Sequence, residues 1–361
     1  SDHLQALFSV TAQATLLRWI QSLSDAALID HPALPVAGAW LTFQLGDLEK
    51  TRRFVRLLGQ ATFDGPYPLG EASDQSAVAL LRAALGWDGV SQIGKAAQLV
   101  HKLEPPISCT YRIASLFLGA SLLLRDRRGA ARDLLEDAAE IGRSALDAGV
   151  LADALLALLD LEERRYAEAE TRIGLALARL ELSCLDEGLA AVQLHAARAW
   201  LEVNCNNPAA ARTSLDRATL LLSHAQVVPW LTIYTQIVLG RVALDLDDGT
   251  SAAALLGAAR RGLARHPDAG TLPHLLAAAE RAHEASQGGG RTLLEPLTQA
   301  ELRVLELAPT CLSIEEIGRT LSVSKNTIKT HLKAIYAKLS VASRSEAVER
   351  ARELRLITPT G

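Results

Sequence analysis

The 361-residue sequence contains no methionine, only four cysteines and only 4% aromatic residues. Without even an initiator methionine, Ser1 is not expected to be the natural start, and the chain reads as part of a longer protein. Cys109, Cys184, Cys205 and Cys311 share no short spacing, so neither a zinc site nor a disulfide framework is indicated. Reduced thiols in a cytoplasmic protein are the expectation. Long apolar runs are missing too: Ile113 to Leu124 is short, and Val150 to Leu161 is interrupted by Asp153 and Asp160, against the roughly 20 residues needed to span a bilayer. No secretory signal is recognised, and no membrane partner is expected.

Reactive constellations are equally scarce. No nucleophilic triad, paired carboxylates or glycine-rich dinucleotide loop stands out. The nearest approach to a phosphate-binding loop, GVSQIGKA from Gly89 to Ala96, has Ala96 where a hydroxyl would hold magnesium, and it follows a helical pattern where the motif requires a strand. His266, His274 and His283 come without an H-E-x-x-H or Cys/His cluster, so they are expected to be solvated or packed and not metal ligands. Enzymatic activity therefore has no residues to rest on, and no cofactor is expected.

What the chain does have is apolar residues, 49% of the total, at helical spacing. From Leu4 to about Ala285, Ala, Leu, Arg and Glu dominate and nothing alternates long enough to suggest a strand, which predicts an all-α region. A loop-then-helix unit recurs, and aligning its copies brings Thr51, Ile93, Ala131, Ala169, Ala211 and Ala253 into one column. A period near 40 with two helices per unit predicts stacked helical hairpins, the small residue marking where two helices cross closely. Trp19, Trp40, Trp87, Trp200, Trp230 and Tyr111 are expected in the core more often than in a ligand groove, given the area an aromatic ring must bury. SQGGGR, Ser286 to Arg291, is expected to break the helical pattern as a hinge, because three consecutive glycines are costly to order.

Beyond the glycines the charge changes. Residues 293–361 carry 10 Lys/Arg and 8 Asp/Glu, leaving 27 against 33 in residues 1–292. From Ile317 to Ser345 there are six basic side chains (Arg319, Lys325, Lys329, Lys333, Lys338, Arg344) and no acid, in a chain of net charge −4. That local reversal suits a polyanion. Thr298-x-x-Glu301, Ser313-x-x-Glu316 and Ser343-x-x-Glu346 are capping boxes marking helix starts. A further start, Ser324 to Thr327, has Thr in place of the acid. An acid there would meet a phosphate backbone if this helix entered a groove, so this helix is the one expected to face DNA. Its apolar stripe is Ile328, Leu332, Ile335 and Leu339.

Two resemblances follow from these residues. The repeats resemble tetratricopeptide repeats of a longer, degenerate kind. Their opening from Thr15 to Asp47 is similar to the sensor domain of MalT-type regulators, with Trp19-Ile20, Ala33-Leu34, Ala39-Trp40 and Gly46-Asp47 in the family's places and Asp25 where proline is usual. Leu297 to Ile357 closely resembles the LuxR-type four-helix DNA-binding domain, with departures at Ala300, Cys311 and Ile314. That resemblance implies base-edge contacts by Lys329, Thr330 and Lys333, and phosphate contacts by Lys325, Asn326, Thr327 and Lys338, with His331 open between packing and backbone contact. It also implies pairing of two chains on DNA through the last helix, with Ser343, Ala347, Val348, Ala351 and Leu354.

The expected protein is thus an all-α transcription regulator. Residues 1–287 would form a tetratricopeptide-like superhelix taking an unknown small-molecule or protein effector, 288–292 a glycine linker, and 293–361 the helix-turn-helix domain that binds double-stranded DNA as a homodimer. No receiver domain or acyl-homoserine-lactone sensor precedes the module in this sequence. The rival reading is a protein-interaction scaffold with a masked or chain-pairing helix-turn-helix.

Overall fold

A computed structural model of the chain describes residues 10–44, 47–58, 67, 69–140, 146–183, 188–224, 228–288, 297–308, 313–321, 323–339, 341, 343–354 and 356–357. Among these, all regular structure is α-helix, and the chain divides into two compact units, Ser1–His283 and Glu284–Gly361.

The first described helices of the first unit are α1 (Val10–Ser22) and α2 (Asp25–Asp30). Six helical hairpins follow: α3/α4 (Ala33–Gln44, Leu48–Leu58), α5/α6 (Asp74–Leu85, Val90–Leu103), α7/α8 (Cys109–Leu123, Arg128–Ala139), α9/α10 (Leu146–Glu162, Tyr166–Ser183), α11/α12 (Leu189–Asn204, Pro208–His224) and α13/α14 (Pro229–Asp245, Gly249–Leu263). Within each hairpin the two helices pack together, and each first helix also packs on the first helix of the next hairpin. The first helices are therefore enclosed. In α9 every residue from Val150 to Leu161 is buried, Asp153 and Asp160 included. The second helices bury one stripe, as in α8 with Ala131, Leu135, Ala138 and Ala139.

Local backbone chemistry explains the repeat. In five hairpins the residue just before the second helix donates its amide to a carbonyl five residues back: Asp47 to Thr42, Arg127 to Leu122, Arg165 to Asp160, Asn207 to Glu202 and Asp248 to Ala243, at 2.8–2.9 Å. In four of them the preceding residue is a non-glycine in the left-handed region, namely Asp126, Arg164, Asn206 and Asp247. This closes the first helix as a left-handed C-cap does. Four residues after this position in each hairpin comes the amide that bonds back to its carbonyl: Thr51, Ile93, Ala131, Ala169, Ala211 and Ala252. All six are buried, at 0–1% exposure. The last member of the column is thus Ala252, not the expected Ala253, which is exposed; the register is set by the cap at Asp248.

Two buried acids of α9 hold ion pairs, Asp160 to the preceding hairpin and Asp153 within its own. Asp160, fully buried, meets Arg132 at 2.8 Å, and Asp153 meets Arg179 at 2.8 Å, with Arg172 reaching both acids. Burial raises the Asp153 carboxyl, opposed by Arg179 and Arg172. Removing one partner of such a network strands a buried charge.

The stack is also tied across its length. The segment after α14 lies on the second and third hairpins, where Asp268 accepts the Val90 amide through its carbonyl (2.9 Å) and the Ser91 amide through its carboxylate (2.9 Å). Thr271 donates its amide to the Leu124 carbonyl at 2.7 Å. Gly270 makes this approach possible: its φ is +57°, and a Cβ there would lie 2.2 Å from the Leu124 carbonyl oxygen. Asp268 thus takes the first two amides of α6, Val90 on its carbonyl and Ser91 on its carboxylate. Gly94 and Lys95, the tail of the near-miss phosphate motif, lie inside that helix and form no loop.

The aromatic residues divide. Trp200 and Trp230 are buried, Trp40 and Tyr111 partly so, Trp87 lies under Arg52, and Trp19 is 67% exposed, neither core nor pocket. After the strap, α15 runs from Leu272 to Gly288. Helix therefore continues through Ser286, Gln287 and the first of the three glycines, where a break was expected. Gly289 to Arg291 and most of the expected linker 288–292 lie outside the described residues, as do Gly46, Cys184, Cys311 and the loop at 309–312.

Candidate nucleic-acid interface

The second unit is built from α16 (Gln299–Glu306), α17 (Ile314–Thr320), α18 (Lys325–Leu339) and α19 (Arg344–Glu353). Its helix starts follow the capping chemistry. Thr298 accepts the Glu301 amide (3.3 Å) and donates its own amide to the Glu301 carboxylate (2.7 Å). Ser313 and Glu316 repeat this reciprocal pair at 3.3 and 2.7 Å. Ser343 accepts the Glu346 amide at 3.2 Å. For α18, Ser324 accepts the Thr327 amide at 3.1 Å and its hydroxyl lies 2.8 Å from that of Thr327, with no acid in the first turn.

The turn between α17 and α18 needs Gly318. The Val323 amide bonds to the Gly318 carbonyl at 2.9 Å, and a Cβ on Gly318 would sit 2.8 Å from the Val323 carbonyl oxygen. This draws the two helices together over the stripe Ile328, Leu332, Ile335 and Leu339, all buried against Val304, Leu305, Ile317, Ala347 and Ala351. The opposite side of α18 is exposed.

On that side the candidate base-reading residues Lys329, Thr330 and Lys333 are all exposed, at offsets i, i+1 and i+4 on one face. Lys329 and Lys333 make no ion pair among the described residues. The Thr330 hydroxyl donates to the Asn326 carbonyl (3.0 Å), which leaves its oxygen lone pairs open. Asn326 is exposed, and Thr327 is partly engaged in the cap. His331 is half-buried.

The basic run is less uniform than its sequence suggests. Lys338 turns inward: its ammonium lies 2.9 Å from the Glu301 carboxylate, with the side chains 13% and 7% exposed. Burial pushes the Glu301 carboxyl up, but the Thr298 amide and Lys338 outweigh it and hold the group below its ordinary value. Arg344 donates to the carbonyls of Ala308 (3.0 Å) and Leu307 (3.4 Å), tying α19 to the end of α16. Lys325 is half-exposed and paired with Glu315 of α17. An acid therefore stands beside the start of α18 although the basic run contains none. Sequence reasoning missed Glu315 and the Lys338–Glu301 pair because neither lies at a helical spacing.

On α19, Ala347 and Ala351 are buried in the unit's own core, and Ser343 is spent on capping. Of the residues expected to pair two chains, Val348 and Leu354 remain partly exposed.

Comparison with known proteins falls on this unit. Residues 295–351 match the family of bacterial regulatory proteins, luxR family. A protein of Vibrio cholerae serotype O1 described as HTH-type transcriptional regulator MalT is 48% identical over 59 residues, which is 16% of this chain and 6% of that relative. The protein of the same description from Serratia proteamaculans is also 48% identical over 59 residues, with the same coverage. The match thus spans only 6% of the length of these relatives.

Proposed function

Because residues 295–351 form a DNA-binding domain of the luxR family, we propose that the whole chain is a transcription regulator whose hairpin stack senses an effector and controls that domain. The observation that carries DNA contact is the exposed face of α18, where Lys329, Thr330 and Lys333 project together from a helix anchored by its buried stripe. In this reading α18 enters the major groove and these three side chains meet base edges. Lys325 and Asn326 meet phosphates, with the Thr327 hydroxyl beside them. Lys338 acts through Glu301 and sets the angle between α16 and α18. Val348 of α19 and Leu354 just after it are the residues left to pair two chains on adjacent half-sites.

The stack is the input in this reading. The resemblance of its opening, Thr15 to Asp47, to the sensor of MalT-type regulators supports a small-molecule or protein effector, and a cytoplasmic setting follows from the role. The printed name of the relatives supports regulation of transcription.

Duplex titrations of the full chain test the proposal. Lys329→Ala should flatten the preference among promoter sequences, each lost bidentate contact being worth about 1–3 kcal/mol of discrimination. Retained preference with uniformly weaker binding would overturn the base-reading role. Absence of any duplex binding at low salt would favour a scaffold that uses the helix-turn-helix only between proteins.

A further inference from the structure

We propose that Glu315 is an electrostatic gate on DNA binding: in the free protein its carboxylate occupies the place on Lys325 that a backbone phosphate takes in the complex. This rests on the reading that α18 faces DNA.

The geometry is specific to this pair. Lys325 is the first residue of α18, where unbonded amides carry partial positive charge and a cation is unfavourable. Nothing acidic in that first turn relieves it. The relief comes from α17, whose own first turn holds Glu315 and Glu316. Glu316 is committed to the Ser313 cap, while Glu315 extends to Lys325. Both members of the pair are half-exposed, so a phosphate can reach Lys325 without unfolding anything. The other cations of the basic run differ: Lys338 and Arg344 are held inside the unit, while Arg319 on α17 and Lys329 and Lys333 on α18 are exposed and make no ion pair among the described residues. Glu315 stays ionised at neutral pH, because its hydrogen bond from Lys325, the helix amide and the Lys329 charge hold it below its ordinary value.

A phosphate arriving at Lys325 must displace this carboxylate and then sits beside it. That repulsion is independent of base sequence, so Glu315 weakens binding to every duplex alike. It thereby lets the contacts of Lys329 and Lys333 decide where the protein stays.

The test is a fluorescence-anisotropy titration of a mixed-sequence DNA duplex with the full chain, over a series of salt concentrations. Glu315→Gln should bind about fivefold more tightly at low salt, the effect of one unit charge at contact distance in water. It should also steepen the salt dependence by up to about one unit. Glu315→Lys should go further in the same direction. In a Lys325→Ala background the gain from Glu315→Gln should shrink toward none. An unchanged affinity for Glu315→Gln, with Lys329→Ala and Lys333→Ala both weakening binding, would overturn the gate and leave the α18 reading standing. A full gain in the Lys325→Ala background would overturn the role of Lys325 as the gated group. Indifference of binding to all of Lys329, Lys333 and Glu315 would remove the α18 reading itself and the gate with it.

Discussion

Replacing Gly270 by alanine strikes the point where the hairpin stack is tied across its length. Gly270 has a φ of +57°, and a Cβ would lie 2.2 Å from the carbonyl oxygen and 3.2 Å from the carbonyl carbon of Leu124. The obstacle is backbone, so no rotamer change relieves it. The left-handed conformation alone costs alanine about 1 kcal/mol. Withdrawal of the strap then removes the bond from the Thr271 amide to Leu124 and strains those from Val90 and Ser91 to Asp268, at about 1 kcal/mol for each one lost. The sum is about 2–4 kcal/mol, according to whether one or all three of these bonds are lost. Gly70→Ala is the matched control, since Gly70 also has positive φ, +79°, with nothing within 4 Å of the added Cβ. It should cost about 1 kcal/mol from backbone alone. Urea unfolding of the two variants gives the difference, and amide exchange locates it: Val90, Ser91 and Thr271 should lose protection in Gly270→Ala while α10 keeps its own. Equal costs for the two substitutions would refute the strap, as would unchanged protection at Val90 and Thr271.

Three further predictions rest on single contacts. Ala252→Leu should destabilise the stack by about 1–3 kcal/mol through overpacking, whereas Ala253→Leu, on the exposed side, should stay within about 0.5 kcal/mol; the reverse order in chemical denaturation would return the repeat column to Ala253. The carboxyl of Asp248, which caps α14, is held down to about 2 by the Ser251 amide first, then the Ser251 hydroxyl and Arg212. A depressed acid stabilises the fold above its ordinary pKa of 3.8 and loses that contribution as pH falls toward about 2, so the stability gap between wild type and Asp248→Ala should be constant at neutral pH and narrow across that acid window. Lys338→Ala leaves Glu301 largely buried without its cation and should lower the melting temperature of the second unit; an unchanged melting temperature together with weaker DNA binding would return Lys338 to the phosphate contacts.

The parts of this protein legible in its sequence are those written in local chemistry. Thr298-x-x-Glu301 and Ser313-x-x-Glu316 announce helix starts because both partners of each bond lie within one turn. Ile328, Leu332, Ile335 and Leu339 announce a buried stripe because helical period is a short-range property. The repeat is legible for the same reason, and the offset between Ala253 and Ala252 shows its limit: small residues stand side by side in the string, while the physical register runs from the bond between the Ala252 amide and the Asp248 carbonyl. What could not be read is held by bonds between distant positions. Asp268 meets Ser91 across 177 residues, and Lys338 meets Glu301 across 37. The basic run from Ile317 to Ser345 is the instructive case. As a string it presents six cations for a polyanion, yet folding divides them into two held inside the unit, one paired with Glu315, Arg319 exposed on α17, and Lys329 and Lys333 exposed on α18. Counting charge predicts how strongly such a module is drawn to any nucleic acid. Only the fold shows which cations are left to touch it, and those on the exposed face of a rigid helix are the ones able to tell one sequence from another.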